Sequence, residues 1–504
     1  MFKTVLVANR GEIAVRVLRA CRETGIRGVT VASEADRNAL HARMADAVEV
    51  IGPAESSQSY LSIEKVIAAA KKLKAEAIHP GYGFLSENPA FAEACEKAGI
   101  VFVGPPAAAM RLVGSKTAAR RLAEAAGVPF VPGTTADLSD AQAATEAAKI
   151  GFPVMLKASA GGGGKGMRLV SKAGDLAQAL ERARSEAKAA FGDASVYIEK
   201  AIESPRHIEV QILVDGKGHA SALGERDCSV QRRHQKLIEE SPSPFVTPAL
   251  RSKMYEAALA IAKASGYRNA GTVEFLVDRK GAFYFLEVNA RLQVEHPVTE
   301  ATTGLDLVRE QLLIAAGEPM TVTKTALVPR GAAIECRLYA ENPDNNFSPS
   351  PGHIRLLRFG SGPGIRVDSG VESGDEVSVH YDPLIAKIIA WGGTREQALA
   401  RMRRALAETA VRGTVRTVQP FLLRVLSDPA FVRGDADTGI VARLLSTPAP
   451  RDAHRDRLVA VAAALHRFAA DHAPAVARPS GAESWSSGWK SSAAQEAVER
   501  LGTE

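Results

Sequence analysis

Two glutamates and an asparagine in the middle of the chain have the spacing of a metal site. The segments GTVEFLVD and AFYFLEVN, which contain Glu274 and Glu287, flank a predicted two-residue turn at 280–281. Such a turn places Glu274 directly opposite Glu287 on a two-stranded ribbon. Opposed carboxylates repel each other unless a cation lies between them. Because Mg²⁺ prefers hard oxygen ligands and bridges nucleotide phosphates, we predict that Glu274, Glu287 and Asn289 hold Mg²⁺.

The residues that follow Glu287 supply a second set of polar side chains. In an extended chain, Glu287, Asn289, Arg291, Gln293 and Glu295 lie on one face and form a line that leads away from the metal. The intervening positions are mostly apolar. This contrast argues against the alternative, which is an ordinary solvated strand face.

A glycine-rich segment lies between two predicted strands. A dinucleotide fingerprint or a Walker loop must open a helix, and a Walker loop has Ser or Thr after its lysine, so neither motif is present. We instead predict a flap whose bare backbone amides close over phosphate oxygens, with a merely flexible loop as the alternative. The flap consists of Gly161, Gly162, Gly163, Gly164, Lys165 and Gly166.

The segment ERDCSVQRRHQK gathers cations that suit a polyphosphate or another small anion. A solvated basic loop is the alternative interpretation, and His207 taken alone is more typical of a structural histidine than of a catalyst. The cluster comprises Arg226, Arg232, Arg233, His234 and Lys236, and it follows His207 and Glu209 of the segment RHIEVQ.

The elements that must position these residues begin with a parallel sheet. In the first hundred residues, strand-like runs alternate with helix-like stretches, a pattern typical of a doubly wound α/β sheet. Ligands of such sheets gather at the carboxyl ends of the strands, where we expect ANRGE and HPGYGFLSEN. The strand-like runs are Thr4–Ala8, Gly28–Ala32, Ala75–His79 and Ile100–Gly104, and the helix-like stretches include Glu12–Thr24 and Ile63–Leu73.

Composition excludes several classes of protein. The 504 residues are 46% hydrophobic and 24% charged, and no window approaches the apolar length that spans a bilayer. The net charge of +6 is dispersed, which argues against nucleic acid as a partner. The four cysteines form no CxxC pair, which argues against zinc and fits reduced thiols. Since the N-terminus also lacks a signal-peptide pattern, we expect a soluble cytoplasmic protein without a membrane or nucleic-acid partner.

Seven segments, taken together, closely resemble the biotin carboxylase component of biotin-dependent carboxylases, an ATP-grasp enzyme. The resemblance covers roughly residues 1–445 and implies an ATP-dependent ligase that phosphorylates bicarbonate to carboxyphosphate and carboxylates biotin. The segments are ANRGEIAVRV, HPGYGFLSEN, KASAGGGGKGM, ERDCSVQRRHQK, EVNARLQVEHPVTE, IECRLYAEN and YDPLIAKIIAW.

The resemblance also implies a domain organisation of mixed α/β and α+β class. A doubly wound parallel N-terminal domain (1–115) would precede an ATP-grasp region (116–330), whose mobile glycine-rich lid lobe spans about 130–201. A mixed α+β C-terminal biotin carboxylase domain (331–445) would follow. The Ala- and Ser-rich tail (446–504) contains one predicted helix, since Leu458, Val461, Leu465 and Phe468 have helical spacing.

The implied ligands are ATP, two Mg²⁺ ions for which Mn²⁺ could substitute, bicarbonate, and biotin as a carrier-bound substrate. Glu274 and Glu287, with Asn289, would hold the metal. The ATP site would be lined by Lys116, Lys157, Glu199, Lys200, Ile202, His207, Gln231, His234 and Lys236, under the flap Gly161–Gly166.

The resemblance assigns the one-carbon chemistry to a smaller group. Arg291, Gln293 and Val294 would bind bicarbonate, and Glu295 would be the base that deprotonates it. Arg337 would stabilise the biotin enolate, and Lys236 and Tyr82 would also contact bicarbonate or biotin.

The partners are expected in trans. The chain contains no Met-Lys dipeptide of the kind that carries biotin, so a biotin carboxyl carrier protein and a carboxyltransferase subunit must be supplied separately, or the polypeptide is truncated. The resemblance suggests a homodimer. The final acceptor would be an acyl-CoA, either acetyl-CoA, as in fatty acid biosynthesis, or propionyl-CoA. The alternative is pyruvate, with this chain as the biotin carboxylase subunit of a two-subunit pyruvate carboxylase.

Two other classes of function remain as alternatives. A different ATP-grasp ligase, joining a carboxylate to an amine through an acyl phosphate, could use the same metal hairpin and flap. It would have no reason to share ECRLYAEN or RLQVEHPVTE. A non-catalytic scaffold would have no reason to keep Lys236, Glu274, Glu287, Arg291, Glu295 and Arg337 together.

Overall fold

The computed structural model describes residues 1–134, 138–158, 167–323, 327–447 and 453–471. It divides into two compact units, Met1–Ser446 and Thr447–Glu504. Among the described residues, no helix combines the length and apolar character needed to cross a membrane. The four cysteines, all within these ranges, are buried and form no disulfide with one another.

The N-terminal region is a five-stranded parallel sheet, as predicted, with strand order β3-β2-β1-β4-β5. Its central strand TVLV is buried along its whole length, which is typical of a parallel strand covered on both faces. Strand β3 was not predicted, because its short segment AVEV includes Glu49 and is not a continuous apolar run. In the structure all four residues are half-buried. The elements are β1 Thr4–Val7, α1 Gly11–Glu23, β2 Arg27–Ala32, α2 Leu40–Met44, β3 Ala47–Val50, α3 Ile63–Lys72, β4 Ala77–His79, α4 Pro89–Lys97, β5 Val101–Phe102 and α5 Ala107–Gly114.

A small lobe follows, with its own three-stranded sheet of order β7-β6-β8. Helix α7 starts at a capping box in which Ser139 and Gln142 satisfy each other's backbone amides. Leu156, Ile198 and Leu180 form the centre of a separate apolar core in this lobe. The flap Gly161–Gly166 lies outside the described residues. The elements are α6 Lys116–Ala125, α7 Asp140–Ile150, β6 Val154–Ala158, β7 Arg168–Val170, α8 Leu176–Phe191 and β8 Val196–Lys200.

The centre of the first unit is an eight-stranded antiparallel sheet with the order β13-β12-β9-β10-β11-β14-β20-β18. Strand β11 pairs directly with β14, in the register Glu239↔Glu335, so one sheet contains strands from both sides of residue 330. The first part comprises β9 Arg206–Val214, β10 Ala220–Arg232, β11 Gln235–Ser241, α9 Pro248–Ala264, β12 Asn269–Val277, β13 Phe283–Asn289, α10 His296–Thr303, α11 Leu307–Ala315 and β14 Ala332–Tyr339.

Most of the remaining elements share one apolar core with β14 and β20. Helix α12 covers β20 through Ala398, Leu399 and Met402. The elements are β15 Glu341–Asn342, β16 Ser348–Pro349, β17 Gly352–Arg358, β18 Ile365–Ser369, β19 Glu376–Val377, β20 Leu384–Gly392, α12 Arg395–Glu408, β21 Ala410–Gly413, α13 Gln419–Ser427, α14 Pro429–Arg433 and α15 Ile440–Ser446. In the second unit, helix α16 (Ala453–Asp471) confirms the helix predicted for the tail.

The hairpin β12–β13 confirms that Glu274 pairs with Glu287, although the predicted turn is wrong. Strand β12 ends at Val277 and β13 begins at Phe283. The loop between them is longer than two residues, and in it the Asp278 amide donates to the Ala282 carbonyl. The strand register that starts from the pair Val277↔Phe283 would place Glu274 opposite residue 286, one position before Glu287. A β-bulge next to Glu274 shifts the register and restores their pairing.

Candidate active site

A lysine whose side chain is only 11% exposed lies at the centre of the polar cluster on the eight-stranded sheet. Lys236, at the start of β11, donates from Nζ to Glu209 Oε2 (2.6 Å), Glu274 Oε1 (2.9 Å) and Glu295 Oε1 (2.7 Å). These carboxylates come from β9, from β12 and from the residue preceding α10. Burial alone would lower the pKa of Lys236, but the surrounding acidic groups hold it well above its ordinary value. The ammonium group therefore stays charged and draws three carboxylates from separate elements together.

Glu295 is held between two cations. Its Oε1 accepts from Lys236, and its Oε2 accepts from Arg337 Nη2 at 3.0 Å. Burial alone would raise the pKa of Glu295, but Lys236 and Arg337 hold it well below its ordinary value. The residue is therefore an ionised carboxylate with no exposed surface, ready to accept a proton from a ligand that displaces its cations.

Arg337 reaches this cluster from β14. Its Nε donates to Glu239 Oε1 at 2.6 Å, so the guanidinium is shared between two carboxylates. The pKa of Glu239 is raised to about 7, because burial outweighs the opposing effect of Arg337. The expected grouping of Lys236, Glu295 and Arg337 is thus present as direct contacts.

Glu274 accepts hydrogen bonds from several neighbours at once. His207 lies 2.9 Å from Oε2, and Asn289 Nδ2 (2.8 Å) and Gln293 Nε2 (3.1 Å) donate to Oε1. Burial alone would raise the pKa of Glu274, but Lys236 and His207 hold it well below its ordinary value. Since the other ring nitrogen of His207 contacts Gln231, this histidine has partners on both sides.

The residues after Asn289 converge on this cluster and do not lead away from it. The prediction of one extended line is wrong, because β13 ends at Asn289 and Glu295 immediately precedes α10, whose second residue is Pro297. The turn between these elements returns Gln293 and Glu295 toward Glu274 and Lys236.

Arg291 is held by a half-exposed carboxylate. Its Nε donates to Glu87 Oε2 at 2.8 Å, and other guanidinium nitrogens contact Asn289 Oδ1 (3.0 Å) and Gln293 Oε1 (2.9 Å). The side chain of Glu87 is 42% exposed, so an incoming anion could displace it. Arg291 and Gln293 are therefore adjacent, as an anion site requires.

The two paired glutamates fit a divalent cation. The pKa of Glu287 is raised, first by burial and next by the negative charge of Glu274, while Lys116 opposes the shift. A cation between the carboxylates would relieve this repulsion. The Asn289 oxygen is turned toward Arg291, so the structure does not bring it to the two carboxylates.

A second group of predicted nucleotide residues surrounds Glu199 on β8. Lys157 Nζ donates to Glu199 Oε2 at 2.5 Å, and Arg120 Nη1 donates to Oε1 at 2.7 Å. Lys116 is close enough to Glu287, Lys157 and Glu199 for all three to affect its pKa, which burial lowers. Arg120 was not anticipated from sequence, since its partner is 79 positions away.

Two predicted residues beside Glu199 are placed differently. The Lys200 ammonium donates to the carbonyls of Gly151 (2.9 Å) and Phe152 (3.0 Å) and does not join the polar cluster. Ile202 is half-buried and follows β8.

The basic segment on β10 and β11 divides into structural and site-facing residues. Arg226 has no exposed surface and donates to Glu209, Gln211, Thr272 and Thr299, so its interpretation as an anion-binding residue is wrong. Arg232 packs over the Phe347 ring and contacts Glu341. Arg233 and His234 form the hairpin tip with positive φ angles of 48° and 68°. Burial lowers the pKa of His234, with His207 and Lys157 contributing.

A further lysine was missed by sequence reasoning. Lys387 on β20 is fully buried, donates to the Val294 carbonyl at 2.7 Å and lies 5.8 Å from the centre of the Tyr82 ring. It also lies 3.4 Å from Glu12 on α1. Lys387 thus fixes the backbone between Gln293 and Glu295 and brings Tyr82 beside it. The only sequence signal was a lone lysine in the apolar strand LIAKIIAWG.

A parallel N-terminal sheet, a small lobe and an antiparallel sheet with paired acidic residues define an ATP-grasp enzyme, an ATP-dependent ligase. Family models agree. Residues 1–110 match the biotin carboxylase N-terminal domain, residues 115–323 the ATP-binding domain of the carbamoyl-phosphate synthase L chain, and residues 335–443 the biotin carboxylase C-terminal domain.

Relatives point to the same enzyme class. The chain is 52% identical to a pyruvate carboxylase subunit of Methanothermobacter thermautotrophicus (88% of this chain, 90% of the relative). It is 51% identical to biotin carboxylase of Nostoc sp. (88% and 99%). Identity to the propionyl-CoA carboxylase alpha chain of Ruegeria pomeroyi is 46%, covering 93% of this chain and 72% of the relative.

Solved structures are equally similar. One is the biotin carboxylase domain dimer of Hydrogenobacter thermophilus 2-oxoglutarate carboxylase with MgADP, ADP and bicarbonate (TM-score 0.84, 45% identity, 89% of this chain, 100% of that chain). Another is the β,γ-ATP complex of biotin carboxylase from Campylobacter jejuni (TM-score 0.85, 45% identity, 88% of this chain, 99% of that chain). The chain belongs to the biotin carboxylase family, and the resemblance drawn from its motifs is confirmed.

Proposed function

We propose that this chain carboxylates carrier-linked biotin with ATP and bicarbonate, through carboxyphosphate, using the cluster around Lys236. The observation that carries the proposal is the contact of Glu295 with both Lys236 and Arg337. One carboxylate between two cations supplies a proton acceptor and two anion-stabilising groups within hydrogen-bond reach of one another. These are the groups needed to deprotonate bicarbonate and to stabilise an enolate oxygen.

In this proposal bicarbonate binds at Arg291 and Gln293. Their contact (2.9 Å) brings a cation and an amide to the same point, and the anion would displace Glu87 from the guanidinium. Val294 would contribute through its backbone, which Lys387 holds in place. The bound anion would then lie between Arg291 and Glu295, so its proton faces the base.

Glu295 becomes a stronger base as ligands enter. In the free enzyme Lys236 and Arg337 depress its pKa, which makes it a weak proton acceptor. Anionic substrates compete for both cations, and each lost contact raises the proton affinity of the carboxylate. Arg337 would then face the biotin ureido oxygen, and Tyr82 beside Lys387 would line the same side.

Glu274 and Glu287 would hold Mg²⁺, which when bound neutralises phosphate charge and orients ATP. Lys116, Lys157 and Glu199, with His207, Gln231, His234, Lys200 and Ile202, would line the nucleotide pocket. Lys116 and Lys157 are the cations best placed for phosphate, because both lie near Glu199 and Lys116 also lies near Glu287. The flap Gly161–Gly166 would close over the nucleotide, and that role is taken from sequence alone.

The central test is bicarbonate-dependent ATP hydrolysis with and without biotin in Glu295→Gln. We expect the biotin-stimulated rate to fall by about 10²- to 10⁴-fold, because the general base is lost. ADP binding, measured by calorimetry, should remain within a few fold of wild type. Glu318→Gln, at an exposed position beyond α11, is the matched control and should leave both quantities unchanged.

Three outcomes would contradict the proposal. An unchanged rate in Glu295→Gln removes this residue as base. Stimulation of the wild type by an amine substrate with no response to biotin favours a carboxylate–amine ligase. Hydrolysis no faster than buffer, despite folded protein, favours a scaffold.

The final acceptor is proposed to be an acyl-CoA, either acetyl-CoA or propionyl-CoA. Support for propionyl-CoA comes from the Ruegeria pomeroyi relative, whose match covers more of this chain than the unit Met1–Ser446 alone. Pyruvate is the second candidate, because the Methanothermobacter relative of 52% identity belongs to a pyruvate carboxylase. The carrier protein and the carboxyltransferase would act in trans, and the chain would form a homodimer like the Hydrogenobacter domain.

The acceptor can be assigned by carbon fixation. Labelled bicarbonate would be supplied with the chain, a biotinylated carrier and the carboxyltransferase that co-purifies with them. Acid-stable label in the carboxylated product of propionyl-CoA or acetyl-CoA would support the proposal. Label on pyruvate alone would overturn it, and sedimentation of the purified chain as a monomer would overturn the homodimer.

A further inference from the structure

Arg120 occupies a buried position next to the proposed nucleotide residues. It lies on α6, four residues after Lys116, and is 7% exposed. Its guanidinium packs 4.7 Å from the centre of the Phe130 ring, donates to the Val131 carbonyl and donates to Glu199 Oε1 at 2.7 Å. One side chain therefore joins α6, the segment leading into the small lobe, and strand β8.

The charges around Glu199 explain why this contact matters. Glu199 Oε2 accepts from Lys157, so one carboxylate is shared by two cations. The group of Arg120, Lys157 and Glu199 has a net charge of +1. Without Arg120, the carboxylate would pair with Lys157 alone, and the net charge would fall to zero.

We infer that Arg120 is a positioning residue that keeps Lys157 available to a nucleotide by sharing the Glu199 carboxylate. A lysine fully neutralised by its own glutamate attracts phosphate weakly, because phosphate must compete with an existing buried ion pair. Arg120 withdraws part of the carboxylate's hydrogen-bonding capacity and fixes its orientation. The inference rests on the proposed role of Lys157 in ATP binding.

The backbone contacts of Arg120 support the same role. Gly133 forms a β-bridge with Glu199, and Phe130 forms one with Phe285 on β13. The Val131 carbonyl that Arg120 binds lies between these two bridges. The guanidinium therefore fixes β8 relative to the large sheet at the point where Glu199 approaches Lys157.

The test compares ADP binding by calorimetry in the whole chain. Arg120→Met should raise the Kd for MgADP by about tenfold to a hundredfold, the loss expected for a charge-assisted contact. The KM for ATP should rise in parallel, and the KM for bicarbonate should stay within about twofold. Arg121→Met, at the exposed next position of the same helix, removes the same charge and should leave the Kd unchanged. Arg120→Lys should recover part of the affinity.

A double variant separates charge sharing from a purely structural role. In Glu199→Gln no carboxylate neutralises Lys157, so adding Arg120→Met to that variant should change the Kd for MgADP by less than about twofold. A purely structural role predicts that Arg120→Met weakens binding equally in wild type and in Glu199→Gln. Folding is monitored by circular dichroism, and if Arg120→Met does not fold, Arg120→Lys and its double variant with Glu199→Gln carry the comparison.

The outcomes also distinguish this inference from the proposed function. A folded Arg120→Met chain with wild-type affinity for MgADP overturns the inference, even if Glu295→Gln behaves as expected. A wild-type chain that binds no nucleotide overturns both. An equal loss of affinity in Arg121→Met overturns the inference, because it shows a general effect of charge.

Discussion

Two lysines on the eight-stranded sheet, one 11% exposed and the other fully buried, have different surroundings. Lys236 is enclosed by Glu209, Glu274 and Glu295, each within 2.9 Å of its ammonium group. Lys387 donates to the Val294 carbonyl at 2.7 Å, and its nearest carboxylate, Glu12, is 3.4 Å away. Lys236 donates to three carboxylates, whereas the hydrogen bond of Lys387 goes to a backbone carbonyl.

The carboxylates around the two lysines differ in the same way. Glu295, beside Lys236, has its pKa held well below the ordinary value despite burial. Burial raises the pKa of Glu12 to about 7, because Lys387 only partly opposes it. Burial also raises the pKa of Glu335, whose two oxygens have no hydrogen-bond partner among the described residues. Similar burial thus gives opposite pKa shifts in these three groups: Glu295 accepts hydrogen bonds from two cations, whereas the oxygens of Glu12 and Glu335 accept none from the described residues.

The largest effect should follow from removing the central cation, since the comparison depends on it. Lys236→Met leaves three buried carboxylates without their shared partner and should lower the free energy of unfolding by about 3–5 kcal/mol at pH 8. The loss should shrink at pH 6, because the stranded carboxylates can then take up protons. Urea unfolding at the two pH values measures it, and a loss under 1 kcal/mol would contradict this account of the cluster.

The pH dependence of Glu12 is the next test. Its folded pKa of about 7 exceeds the reference value of 4.5, so the carboxyl group costs stability progressively as pH rises from 4.5 to 7. Relative to Glu12→Gln, wild type should lose about 3 kcal/mol of unfolding free energy across that window. The exposed Glu23→Gln on the same helix is the control and should show no such difference. Parallel curves for wild type and Glu12→Gln would contradict the prediction.

Replacing Lys387 should cost less than replacing Lys236. Near pH 7 Glu12 can become neutral cheaply, so Lys387→Met should lose mainly the bond to Val294, about 1–3 kcal/mol. The loss should grow above pH 7, where wild-type Glu12 is ionised beside the lysine. The KM for bicarbonate should also rise, because the backbone between Gln293 and Glu295 is released. A penalty equal to that of Lys236→Met would remove the distinction between the lysines.

The smallest effect is expected at an exposed ion pair, which calibrates the buried ones. Arg404 Nη1 lies 2.7 Å from Glu408, four residues later on α12, and both side chains are over 40% exposed. Arg404→Ala should change the free energy of unfolding by about 0.3–0.5 kcal/mol at low salt and less at high salt. A penalty comparable to that of Lys387→Met would show that distance, and not burial, dominates both clusters.

Local patterns predicted much of the fold. Alternating apolar runs and helical periods located the parallel sheet, its helices α1 and α3, and helix α16 in the tail, because these depend on residues close in sequence. The pairing of Glu274 with Glu287 was also predicted, yet the assumed turn was too short and an unforeseen bulge compensated for it. Bulges depend on packing against neighbouring strands, which a single sequence does not display.

The partners of buried charges were beyond sequence reasoning. Arg226 resembled its basic neighbours but is buried against Glu209, whereas His234 lies at a hairpin tip. Arg120 and Lys387 each meet partners more than 70 positions away. Period and spacing reveal which face a residue occupies, but not which distant strand covers that face.

The direct pairing of β11 with β14 has a consequence for how this polypeptide can be divided. A cut in the linker near residue 330 would expose the backbone of β11 as an open edge and separate Lys236 from Arg337. Each fragment made alone would have an unpaired strand edge and charges that lack their partners from the intact sheet. Such fragments are expected to aggregate unless they reassemble. Any gene fission at this position therefore yields a two-piece enzyme whose halves must be produced together.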